Sequence, residues 1–279
     1  MRDLERTHAA NTTLNAPATA GRIAMPAADA RNATIAIVGG GRLGSAIAGA
    51  LAAAGGNVSG PHGRGPIPPA DAVLLCVPDA SIHDAAQAVA GAAQFVGHTS
   101  GATPLAALDP AVEAGAAAFG LHPLQTFAGA ADDSARLAGC GCAIAGSNDE
   151  ALDLAGSLAR TLGMTPFTID DDNRSAYHAA ASIASNFLVT LEAAAETMAE
   201  GAGIEPQTAR AALAPLVRAT VENWAALGPE AALTGPVSRG DDLTVAAQRA
   251  AVERVAPELS PLFEALVELT RALADGGGR

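Results

Sequence analysis

Ile35-Ala36-Ile37-Val38 runs straight into Gly39-Gly40-Gly41-Arg42-Leu43-Gly44, and an alanine-rich stretch follows to about Ala54. This is G-x-G-x-x-G spacing after an apolar run and before a helix, the setting in which it holds a dinucleotide. Gly39 permits the tight turn, Gly41 lets a pyrophosphate approach the backbone, and Gly44 lets helix pack on strand. The helix starting at Arg42 and Leu43 offers free N–H groups and the positive end of its dipole to phosphate. The plainer alternative is a glycine-rich turn that only packs tightly, since the chain holds 30 glycines.

The next apolar run decides which dinucleotide. An NAD site places Asp or Glu about 20 residues on, to accept from the ribose 2′-OH. From Ala33 to Ala70 there is no acid. Ser59, His62 and Arg64 stand there instead, donors suited to a 2′-phosphate, with Arg64 the best by its planar fork. NADP (as NADPH) is therefore expected ahead of NAD. A merely solvated Arg64 is the alternative.

Ala72–Val77 reads as a buried strand whose exit at Val77-Pro78 lies beside the glycine turn, where such sheets bind ligands. Two later runs end in polar clusters at the same edge, His98-Thr99-Ser100-Gly101 and His122-Pro123-Leu124-Gln125-Thr126. Histidine is the side chain most easily set for proton transfer near neutral pH. His122 is read as functional and His98 as a satisfied hydrogen-bonding group.

Further on, Tyr177, His178 and Asn186 are candidates, with His178, Ser182 and Asn186 forming an i, i+4, i+8 stripe on one helix. The alternative is that Tyr177 and His178 hold an interdomain seam. Arg174, Thr234 and Arg239 are candidate substrate ligands; Arg239 could grip a carboxylate with two hydrogen bonds, or pair locally with Asp241. No metal is expected, because Cys140-Gly141-Cys142 lacks partners at ligand spacing. Asp170 to Asp172 read as a solvated link, and Phe187 and Trp224 as core.

These residues need a frame. Strands are expected at 35–38, 57–59, 72–77, 94–98, 117–121, 142–145 and 166–169, with alanine-rich helices between them. Ser81 with Asp84 and Ser147 with Glu150 look like capping boxes, and Thr103-Pro104 like a cap followed by proline. Strand alternating with helix predicts an α/β fold: a Rossmann-like, doubly wound, mostly parallel sheet. No room exists for a crossover helix between the second and third strands. After Asp172 no strand signal remains. One long apolar helix is expected to run to about Gly201, with later helices broken at Pro206, Pro215, Pro229, Pro236 and Pro257. The expected domains are a disordered leader over 1–31, a dinucleotide-binding domain over 32–171 and an all-α domain over 172–279. A helix apolar on several faces is buried in its own chain or in a partner, so a homodimer through the helical domain is expected.

Composition bounds the rest. Hydrophobic residues make up 49% of the 279 and charged residues 16%, which excludes a disordered chain. All 16 basic side chains are arginine, against 29 acids, for a net charge of −13. Such a chain repels phosphate backbones, so no nucleic-acid partner is expected. Three cysteines make no disulfide framework, and no apolar run reaches the roughly 18 residues of a membrane span. The expectation is a soluble, cytoplasmic protein with no membrane partner and a small-molecule substrate.

The run Gly120-Leu121-His122-Pro123-Leu124-Gln125-Thr126-Phe127, His98-Thr99-Ser100-Gly101 upstream, and Tyr177-His178 and Ser185-Asn186 downstream resemble a known family. Its members are predicted oxidoreductases that pair a Rossmann-like NAD(P)-binding domain with a helical domain of unknown function (DUF2520). Leu233 to Asp241 fits the same family, and the resemblance spans about residues 32 to 275. The architecture is also similar to pyrroline-5-carboxylate reductase, ketopantoate reductase and prephenate dehydrogenase. The prephenate dehydrogenase likeness implies that Ser100 and His122 form the catalytic pair. The ketopantoate reductase likeness implies a lysine opening the helical domain. This chain has no lysine, and Tyr177-His178 stands near that place. The resulting expectation is an NADPH-dependent reductase of a small carboxylate-bearing carbonyl or imine compound, ketopantoate first. His122 or His178 would give the proton, and Arg239 or Arg174 would hold the carboxylate. The alternatives are prephenate-type oxidation and a non-catalytic NADP-binding sensor or scaffold.

Overall fold

The computed structural model describes residues 33–129 and 133–276, so the expected leader at 1–31 lies outside the described residues. The chain divides into two compact units, the first ending at Arg174 and the second starting at Ser175.

The first unit is built on seven strands, in the places the alternating pattern gives them: β1 (Thr34–Val38), β2 (Asn57–His62), β3 (Ala72–Leu75), β4 (Phe95–His98), β5 (Ala117–Pro123), β6 (Gly141–Gly146) and β7 (Thr165–Thr168). They form one sheet in the order β2-β1-β3-β4-β5-β6-β7. Every neighbouring pair is parallel except β5 and β6. Helices α1 (Arg42–Ala53), α2 (Ile82–Ala88), α3 (Asp109–Glu113) and α4 (Asp149–Thr161) connect them. No helix separates β2 from β3; residues 63–71 cross by a Gly- and Pro-rich loop.

Period-two alternation sends Ile35 and Ile37 of β1 to one face and Ala36 and Val38 to the other. The first face packs with Ile47 and Leu51 of α1 and with Leu154 and Leu158 of α4. The second packs with Ile82 and Ala86 of α2, Val96 and Leu108. Each such Ile or Leu, fully buried, contributes about 1.5–3 kcal/mol. Few aromatics are needed because backbones approach closely: a Cβ on Gly97 would lie 2.5 Å from the Phe119 ring.

Three local expectations are corrected. Strand β2 runs three residues past Ser59, through Gly60 and Pro61, because it is the sheet edge, where proline costs no ladder bond. The cap of α4 is Asn148, which accepts from the Ala151 N–H, while Ser147 accepts from the Ala118 N–H on β5. Ser81 precedes α2 with helical backbone angles and makes no capping bond.

The second unit is helical throughout its described residues: α5 (Arg174–Ala184, its first residue in the first unit), α6 (Asn186–Gly201), α7 (Pro206–Leu227), α8 (Pro229–Ala232), α9 (Asp242–Val255) and α10 (Ser260–Ala274). The single long helix expected up to Gly201 is two, interrupted at Ser185 with φ −122° and ψ −70°. Pro215 does not break α7; it is exposed, so the carbonyl it leaves without a helix partner faces water. Phe187 and Trp224, expected in the core, are each 56% exposed. Among the described residues no helix is long and apolar enough to cross a membrane, and no cluster of His, Cys, Asp and Glu could hold a metal ion.

Candidate dinucleotide and reaction site

The three motif glycines are required for three different reasons. Gly39 has φ +109°, and a Cβ there would lie 2.2 Å from the Cys76 carbonyl oxygen. Its N–H donates to the His62 carbonyl at 2.8 Å, fastening the turn to the end of β2. Gly44 packs helix on turn so closely that a Cβ would lie 2.0 Å from the Gly39 carbonyl oxygen. Gly41 caps α1 in extended conformation, and a Cβ on it would meet nothing within 4 Å. Two of the glycines serve packing, and the third leaves open space above the first turn of α1, at Arg42 and Leu43. That opening suits a pyrophosphate, whose approach a side chain would obstruct.

From this turn a cavity of about 600 Å³ extends over the sheet edge. Gly39, His62, Arg64, Val77 and Pro78 line it, so five residues singled out for cofactor binding share one cavity. Ile67, Asp84, Ala85, Ala88 and Val89 also line it and were missed. Ile67 sits in the loop that replaces the crossover helix, and the α2 residues follow a run read only as helix. Ser59 is half-buried within β2, and its Oγ lies 3.1 Å from Nε2 of His62. This pairing fixes the imidazole at the rim. The Cys76 thiol beneath the turn is pushed up to about 12 by burial, against the opposing hydrogen bond to Thr99, so it stays protonated and unreactive.

The second half of the site lies where β4 and β5 end. His98 and Gly120 are paired across the two strands, so His98, Gly120 and His122 share one sheet face. His98 is fully buried, and its Nδ1 accepts the Ser100 N–H at 3.2 Å. Burial first, then the Arg174 guanidinium, lowers its pKa to about 4, and Pro104, Asp79 and Asp171 offset this only in part. Ser100 Oγ donates to Thr103 Oγ1 at 2.9 Å and accepts from the N–H groups of Ala102 and Thr103. The hydroxyl therefore organises its own turn. Gly101 lies against His122: a Cβ on it would be 2.8 Å from Cε1 and 2.9 Å from Nε2 of that ring. The backbone next to Ser100 thus lies against the His122 ring, while the Ser100 hydroxyl itself bonds within its own turn.

Arg174 is 3% exposed. Its Nε donates to Asp171 Oδ1 and its Nη1 to the Ser100 carbonyl, while Nη2 lies 2.9 Å from where a Cβ of Gly120 would be. Asp171 also accepts the Leu105 N–H at 2.8 Å. An acid read as part of a solvated link is thus a buried arginine's partner. Only its spacing, three residues before Arg174, carried a signal, and that is common on helices.

In the helical unit Tyr177 and His178 are half-buried on α5, and Asn186 is the exposed first residue of α6. The break at Ser185 interrupts the expected stripe from His178 to Asn186. Thr234 and Arg239 are exposed in the loop before α9. Asp241 caps α9, accepting from the Thr244 N–H and hydroxyl; these bonds first, and Arg239 more weakly, hold its carboxyl below the usual range.

Residues 140–270, from just before β6 into α10, match the model of a domain of unknown function, DUF2520. No curated protein matches the chain. Among solved structures, protein TM1727 from Thermotoga maritima is 23% identical, over 88% of this chain and 100% of that one, with a TM-score of 0.71. The reductive aminase from Aspergillus terreus in complex with NADPH and ethyl levulinate is 18% identical, over 88% and 95%, TM-score 0.62. Pyrroline carboxylate reductase from Plasmodium falciparum, with NADP bound, is 12% identical, over 88% and 99%, TM-score 0.55. Likeness at these identities establishes the fold, a Rossmann-like unit followed by a helical one.

Proposed function

We propose that the chain is an NADP-dependent oxidoreductase that reduces a small carbonyl or imine compound bearing a carboxylate. The observation that carries the reading is the cavity lined by both Gly39 and Arg64, with open space above Gly41 and no acid from Ala33 to Ala70. The NADP and NADPH named with the structural relatives support it.

The cofactor, when bound, would supply a hydride to the substrate carbon. The chain does the rest. The glycine turn and the start of α1 hold the pyrophosphate, and Arg64, with Ser59 and His62, takes the 2′-phosphate. Val77, Pro78 and the Ser100 turn flank the nicotinamide end. His122 or His178 gives a proton to the substrate oxygen or nitrogen, and Tyr177 and Asn186 are the further polar candidates for the chemistry. Arg239, with Thr234, or Arg174, whose Nη2 has no hydrogen-bond partner, holds the carboxylate. Ketopantoate is the first substrate to try. The protein works in the cytoplasm as a homodimer, because Phe187, Val189, Trp224 and Leu243 expose more apolar surface than a solvated helical unit leaves bare.

Calorimetric titration with NADPH and with NADH tests the cofactor. Tight NADPH binding that is lost in Arg64→Ala supports the reading. Binding of neither nucleotide returns the glycine turn to a packing role and overturns it. Loss of the proton donor costs roughly 10²–10⁴ in turnover. Wild-type rates in both His122→Ala and His178→Ala would sink the mechanism. Turnover running only toward oxidation of a hydroxy acid would make His122 the proton acceptor instead. Light scattering that finds a monomer at micromolar concentration would remove the homodimer.

A further inference from the structure

We infer that His98 is a positioning residue for His122, acting through the Ser100-Gly101 peptide. The inference deepens the reading of His122 as a proton donor and rests on it for its functional meaning. Its structural content stands apart.

Ser100 is clamped from three sides. Its N–H donates to His98 Nδ1, its carbonyl accepts from Arg174 Nη1, and its hydroxyl closes the turn to Thr103. The peptide that leaves this clamp is Gly101, whose α-carbon abuts the His122 ring. A displacement of the Ser100-Gly101 peptide therefore moves the wall on which that imidazole rests.

An imidazole accepts at Nδ1 only while that nitrogen carries no proton, so the bond to Ser100 selects the neutral Nε2–H tautomer. Full burial and the neighbouring guanidinium keep His98 in that state across the neutral range. Its Nε2 is buried and makes no well-formed hydrogen bond, the Pro104 carbonyl being the acceptor near it. A side chain kept only for packing would present no directed acceptor to a backbone N–H, and leucine would fill the space at less cost. Gly120, paired with His98, leaves room for the Arg174 guanidinium, which brings the second arm of the clamp to the same peptide.

The test is NMR titration of the histidine Cε1–H signals in the full-length protein, with His122 assigned by its own substitution. Four proteins are compared: wild type, His98→Asn, His98→Gln and His98→Leu. An asparagine places its amide oxygen near the position of Nδ1 and can accept the Ser100 N–H; a glutamine reaches toward Nε2 instead. The expected result is that His98→Leu and His98→Gln move the His122 midpoint by about half a pH unit or more. His98→Asn returns it to the wild-type value.

A His122 midpoint unchanged in every variant overturns the inference, whatever happens to the melting temperature. So does an asparagine variant that behaves like leucine. If His98→Leu does not fold, the asparagine and glutamine variants decide the matter alone. Failure of the wild type to bind NADPH would strike the proposed function and leave the His98–His122 coupling measurable.

Discussion

The two units spend their apolar residues in opposite ways. In the first, Ile35, Ile37, Ile47, Leu51, Leu74 and Phe119 are all within 1% of complete burial, around a sheet that covers both its faces. In the second, buried hydrophobics are few and small, Ala209, Val245, Val252, Ala256 and Val267, while Val189 is 70% and Leu243 87% exposed. A sheet flanked by helices closes a core within one chain. A helical array this apolar on its outside does not, and it asks for a partner surface. The first unit thus completes its core within one chain, and the second leaves most of its larger apolar side chains bare.

The largest effects are expected where the first unit's backbone is most constrained. Gly39→Ala places a Cβ against the Cys76 carbonyl at a positive φ, and Gly44→Ala drives one into the Gly39 carbonyl. Each should cost about 1–3 kcal/mol or more in a denaturant midpoint and abolish NADPH binding. Gly41→Ala should leave the midpoint untouched and still weaken NADPH binding, because its Cβ meets only open space. A fall in stability as large as that of Gly39→Ala would break the distinction between packing glycines and the ligand-facing one.

His98 gives the first unit a pH dependence. Its folded pKa near 4 lies below the ordinary value of 6.5, so the unfolded state binds the proton first. Its contribution is complete above pH 6.5 and is lost as pH falls toward 4, by up to roughly 3 kcal/mol. Unfolding midpoints across that window should lose this slope in His98→Asn. A slope that persists would mean His98 is not the group responsible.

All seven strands and the glycine turn were legible in the sequence because both are local codes: period-two alternation, and glycines at fixed spacing. The edge position of β2 was not, since only pairing makes Gly60 and Pro61 acceptable in a strand. Nor was Asp171, whose partners Leu105 and Arg174 lie 66 and 3 residues away. His98 was read as satisfied, and its Nδ1 does accept the Ser100 N–H, but that this bond would hold the peptide beside His122 had no signal in the sequence. Phe187 and Trp224 were misplaced because hydrophobicity reports that a residue seeks burial and says nothing of which chain buries it.

Arg64→Ala should lower NADPH affinity about 10–100-fold and leave NADH alone, the loss of a charged hydrogen-bonding group. An equal loss for both nucleotides would place Arg64 on the pyrophosphate instead.

The smallest expected effect returns the contrast to single arginines. Arg174 of the first unit and Arg210 of the second each pair with one carboxylate, Asp171 and Glu196. Arg174 is 3% exposed and Arg210 74%. Removing the buried guanidinium empties its place over Gly120 and strips the Ser100 carbonyl of a donor, so Arg174→Ala should cost about 1.5–3 kcal/mol. The Arg210 pair exchanges its bonds with water on unfolding, and the entropy of two freed side chains offsets what remains. Arg210→Ala should leave the unfolding midpoint within measurement error. A clear destabilisation would mean that this face of the helical unit is covered in solution, as the exposed apolar residues of the same unit already suggest, and that the pair belongs to an interface.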